Sequence, residues 1–190
     1  MKFNVRLVAL AGLLLFGTAA GGRARRNYIA IYEDYTEHLI VYWDFETALN
    51  MRATYLTPEF RMAMADERQR LLNATPEDHK AYTERLLEDG NLYHELVFSS
   101  DSAMPKGEEF GTADDKWQIR LLADGTEEKL VSIYKVRKPN PMQRALYPHL
   151  NIWSDLWIAR FEKTVRTPDD VQLIVSSGYG NGEMWFKGMR

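Results

Sequence analysis

The sequence predicts an α+β protein. An N-terminal helical segment of one long and two short helices is followed by an antiparallel β-sandwich or small barrel of about six strands. Three observations carry that reading. Apolar residues recur at steps of three and four from Tyr28 to about Thr54. Two Thr-Pro-Glu triplets open further helical stretches. From Leu92 the apolar period falls to two, with turn signals between the runs. Composition suits a folded chain: of 190 residues, 45% are hydrophobic and 12% aromatic, more than a disordered chain would hold.

Met1-Lys2 and Arg6 precede an apolar run of 14 residues, LVALAGLLLFGTAA, from Leu7 to Ala20. A basic start, an apolar stretch and a small-residue end (Thr18-Ala19-Ala20) read as a secretory signal peptide over residues 1–20. The run would reach about 21 Å as a helix, short of the ~30 Å hydrocarbon core. The alternative is an uncleaved N-terminal anchor over residues 7–22, and only then would the protein sit on a membrane.

In the next stretch Tyr28, Tyr32, Tyr35, Leu39, Tyr42, Phe45 and Leu49 fall on one helical stripe, with no Gly or Pro from residue 27 to 57. One helix over 28–54 is expected, its stripe buried against the rest of the protein, a partner or a second copy. Thr57-Pro58-Glu59 and Thr75-Pro76-Glu77 each place a hydroxyl N-cap before a first-turn Pro and an acid. They predict short helices over 58–73 and 76–88, the second ended by Gly90.

The strand-rich part is read from alternation in Leu92–Phe98, Trp117–Leu121, Leu130–Val136, Trp153–Phe161, Val171–Val175 and Met184–Phe186. Asp124-Gly125 signals a hairpin with Leu130–Val136 as its return strand, and Gly178–Gly182 a second turn. No helix of crossover length separates the strands, which favours antiparallel pairing. The chain is thus expected to divide into residues 1–20, a helical region 21–90 and a β domain 91–190.

Several chemistries are excluded. With no Cys there are no disulfides, thiolate nucleophiles or iron–sulfur clusters. Lys plus Arg number 24 and Asp plus Glu 27, so the net charge of −3 does not attract nucleic acid. His38, His79, His94 and His149 lie too far apart for a local metal motif, and no metal or cofactor is expected. Ser132-Ile133-Tyr134-Lys135 matches Ser-x-x-Lys, but in a strand those two residues face opposite ways.

The loop Arg137–Ile152 and the residues after it hold the main candidates. Arg144, Tyr147, His149 and Trp153 form a binding cluster of the aromatic-plus-Arg kind found at interface hot spots. His149 with Asp155 is the weak catalytic candidate, as base and orienter. The sequence therefore points to an exported, periplasmic or extracellular cell-envelope protein of non-enzymatic type. It would bind or scaffold another macromolecule, with helix 28–54 as one contact surface. The alternatives are an envelope hydrolase using His149 and a periplasmic small-ligand carrier.

Overall fold

The computed structural model describes residues 27–101, 109–111 and 117–187. The expected signal peptide or anchor lies outside these residues. The described chain is mixed α+β, with four helices and nine strands in two antiparallel sheets.

The expected helix over 28–54 is not formed. Residues 27–34 are helical (α1), after which the chain becomes a β-hairpin, β1 (Thr36–Trp43) and β2 (Glu46–Tyr55). Only Tyr28, Tyr32 and Tyr35 of the proposed stripe are buried as a helical set. Further on, Leu49, Met51, Ala53 and Tyr55 alternate into the core at strand spacing. The turn between the strands holds Asp44 at φ 52, a left-handed conformation that Asp tolerates better than most residues.

Both Thr-Pro-Glu starts open helices: α2 (Pro58–Leu72) and α3 (Pro76–Leu92). Thr57 accepts from Phe60 N at 3.1 Å and Thr75 from Asp78 N at 3.2 Å. Helix α3 does not stop at Gly90 but runs through it, and the Arg61 side chain of α2 lies against that glycine. An added Cβ there would sit 2.8 Å from Arg61 Nε.

The remaining elements are β3 (Tyr93–Asp101), β4 (Gln118–Ala123), β5 (Thr126–Glu128), β6 (Leu130–Val136), α4 (Pro141–Leu146), β7 (Asp155–Glu162), β8 (Asp170–Ser177) and β9 (Gly180–Lys187). Asp124-Gly125 does turn the chain, both residues at positive φ. Its return strand is the three-residue β5, not β6. One residue later the chain crosses to the other sheet, and β6 pairs with β7 instead. The five-stranded sheet has the order β1-β2-β3-β7-β6 and the four-stranded sheet β5-β4-β8-β9. The first takes strands from both sides of residue 90. The arrangement is not a closed barrel.

Two apolar clusters hold the layers together. Inner-face residues of both sheets share one, including Leu49, Leu96, Phe98 and Phe161 from the first and Leu121, Leu173 and Phe186 from the second. Tyr28, Tyr32, Phe60, Met64, Leu146 and Tyr147 from the helices cover Val97 and Leu156 on the outer face of the first sheet. Strand β9 of the second sheet packs close against β1 of the first. A Cβ on Gly182 would meet Leu39 Cδ1 at 2.4 Å, so any larger residue there would require the Leu39 side chain to shift.

Candidate functional site

The loop 137–155 does not act as one cluster. Asn140 opens α4 with a reciprocal capping box to Gln143. Tyr147, just past α4, is buried; its hydroxyl donates to Met64 Sδ at 3.5 Å. Burial pushes that hydroxyl far above the ordinary tyrosine range. Arg144 Nη1 donates to the Asn151 carbonyl at 3.1 Å. Asn151 Oδ1 accepts from the backbone N–H of Trp153 and of Ser154, which reverses the chain there.

That reversal separates the two catalytic candidates. His149 Nδ1 bonds the Tyr32 hydroxyl of α1, and the two rings stack at 5.8 Å. Burial, and then Arg52, lower its pKa to about 4, and its Nε2 is buried without a partner. Asp155 forms an ion pair with Lys135 on β6. His149 and Asp155 therefore have different partners and form no hydrogen bond with one another. Of the binding candidates, Trp153 alone is strongly exposed, at 81%.

Trp153 nonetheless has company. Strand register places Asn50 opposite Asp101 and Ser100 opposite Asp155. The β1–β2 turn and the residues just before β7 thus lie at the same end of the five-stranded sheet. Tyr42, Trp43 and Phe45 from the turn and Ile152 and Trp153 from the loop are all exposed there, Phe45 completely. Trp43 is held edge-on against Tyr179 of the β8–β9 turn at 5.9 Å.

The opposite end is polar, and the sequence offered no local signal for it. Tyr55 on β2 bonds His94 Nδ1 on β3 at 2.7 Å, and His94 Nε2 faces Glu128 on β5 at 3.6 Å. Both side chains of the His94–Glu128 pair are fully buried. Burial, then Lys163, lower the His94 pKa. Neutral His94 with its proton on Nε2 faces the acceptor-only carboxylate and accepts from Tyr55. Burial raises the Glu128 pKa, but N–H and O–H donors from Val165 and Thr164 outweigh it and hold the group below the usual carboxylate value.

Near this buried polar group is a pocket of about 350 Å³ lined by Tyr35, Thr57, Glu59, Asn91, Lys163 and Arg166, among others. Lys163 donates to the Gly90 carbonyl at 2.7 Å, and burial followed by Arg61 lowers its pKa. Tyr35 donates to Glu59. Arg61 is 1% exposed, donates from Nε to the Leu56 carbonyl and lies 4.0 Å from Glu95, which Arg160 holds at 2.8 Å. These groups come from segments up to about 130 residues apart, which is why spacing in the sequence did not reveal them.

Among the described residues no group of three or more His, Asp or Glu is placed to hold a metal. No described helix is long and apolar enough to cross a membrane. Ser132 and Lys135 lie on strand β6 and make no constellation of the acyl-enzyme kind.

The chain matches no protein-family model and no curated protein. Among solved structures it is similar to a novel protein of unknown function from Burkholderia pseudomallei, at 12% identity and a TM-score of 0.39, over 98% of this chain and 94% of that one.

Proposed function

We propose that this is an exported cell-envelope protein that binds or scaffolds another macromolecule through its aromatic end. The observation that carries the reading is the joint exposure of Tyr42, Trp43, Phe45, Ile152 and Trp153 at one end of the sheet. Tyr and Trp supply much of the binding energy at protein interfaces, and apolar residues gathered in one region have more meaning than scattered ones. The export part rests on the apolar run 7–20 behind Lys2 and Arg6. The facing sheets, with both inner surfaces in one core, are read as a sandwich that holds this end rigid.

Photo-crosslinking from position 45 and position 153 in the protein's own cells tests the reading. A discrete adduct from both positions is expected in the envelope fraction. Phe45→Ser and Trp153→Ser should abolish it while changing stability by less than about 0.5 kcal/mol, since neither side chain is packed. Adducts that persist in both variants, or appear equally from an exposed site on α3, would overturn it.

The carrier reading has one observation of its own, the 350 Å³ pocket at the polar end. It predicts a rise in melting temperature with some small metabolite, and a rise that Lys163→Ala removes. A broad metabolite panel that leaves the melting temperature unchanged would dispose of it.

A further inference from the structure

Helices α2 and α3 run side by side, and between them lies a pocket of about 330 Å³ that neither proposed function uses. Asp78, Ala81, Tyr82 and Arg85 form one stripe of α3, and Arg68 reaches it from α2. The Arg68 guanidinium carbon is 4.2 Å from the Tyr82 ring centroid, and that of Arg85 is 5.4 Å away. Both contacts are in cation–π range. Neither guanidinium has a carboxylate or hydrogen-bond partner among the described residues. Arg70 and Arg160, by contrast, are engaged by carboxylates: Arg70 is bidentate to Glu67 and Arg160 is bonded to Glu95.

Two like charges held against one ring repel each other, and the ring satisfies their faces while leaving the N–H edges unused. Buried Arg61, two turns earlier on α2, adds to the positive field at Tyr82. An oxyanion would use the free edges, because the guanidinium fork matches carboxylate and phosphate oxygens two at a time. Among the described residues, Asp78 is the one acid lining the pocket. It opposes a second negative group and so favours a ligand with a single anionic end.

We propose that Arg68 and Arg85, stacked on Tyr82, form a binding site for an anionic group of carboxylate or phosphate chemistry. The test is an NMR titration of the full chain with inorganic phosphate, and separately with acetate, at low ionic strength and constant cation. Saturable shifts of the Arg68 and Arg85 side-chain N–H signals are expected. Arg68→Ala and Arg85→Ala should each weaken binding about tenfold. Arg85→Lys should weaken it too, because Lys keeps the charge but lacks the fork. Asp78→Asn should tighten it, a gain that misfolding cannot imitate. Phosphate binding without acetate binding would assign a phosphorylated ligand, and the reverse a carboxylate. The proposal falls if neither anion saturates, if the two alanine variants bind as the parent does, or if Asp78→Asn leaves affinity unchanged.

Discussion

Arg61 enters the helix layer from α2 and is covered by the backbone of α3 at Gly90. A methyl group at Gly90 would touch Arg61 Nε at 2.8 Å and Cδ at 3.1 Å, so the guanidinium would have to leave its bond to the Leu56 carbonyl. Gly90→Ala should therefore destabilise the protein by about 1–3 kcal/mol, although alanine is the better helix former. Gly178→Ala, where nothing lies within 4 Å, is the matched control and should be close to neutral. Urea denaturation of both variants checks this, and equal midpoints would refute it. At this scale the sequence was least informative. His149 and Asp155 are six residues apart, yet the Asn151 turn sends one towards α1 and the other to the edge strand β6. Nothing local announces that Glu128 will lie beside His94, because the pairing depends on how the two sheets face each other.

At the scale of elements, start signals were read more reliably than lengths. Both Pro-initiated helices begin where a hydroxyl cap predicts, since the cap is a bond within four residues. The two caps differ in setting: Thr57 is 1% exposed, while Thr75 is open to water. Thr57→Ala should cost about 1–2 kcal/mol and Thr75→Ala about 0.5–1 kcal/mol. Thermal unfolding of the two variants would show that order, and a larger loss at Thr75 would contradict it. The bounds of strand β6 match the expected run Leu130–Val136, but it pairs with β7 and not, as expected, across the Asp124-Gly125 turn. The misreading of residues 36–54 has a physical cause. Aromatic and β-branched residues there fell by chance at helical steps, and the turn at Asp44 carries no glycine to mark it. The strand pattern of Leu49, Met51, Ala53 and Tyr55 was present but was outweighed by the aromatics before it. Strand β6 is also an edge of its sheet; Lys135 and an irregularity between Leu130 and Ser132 discourage pairing with another chain.

For the molecule as a whole, acid should lower stability. The folded-state pKa values of His94 and His149 lie below the ordinary histidine value, His149 at about 4. Below pH 6.5 the unfolded chain therefore binds more protons than the folded one, and stability falls between pH 6.5 and about 4. Glu128, held below the usual carboxylate value, adds a further loss once the pH drops below about 4.5. Unfolding free energies from denaturant titrations at pH 7.5 and pH 5 should differ by about 1–3 kcal/mol, and His149→Gln should reduce that difference. A midpoint that does not move between the two pH values would show that neither histidine is held neutral. A slower consequence follows from β9 packing against β1. The first strand and the last close the same core, so Leu39 and Val41 stay uncovered until nearly all of the chain is available. A ribosome-bound chain that lacks β9 has the helices and the β1–β2 hairpin in hand but no finished interior. Closure of that interior therefore waits for β9, well after the helices and the hairpin have been made.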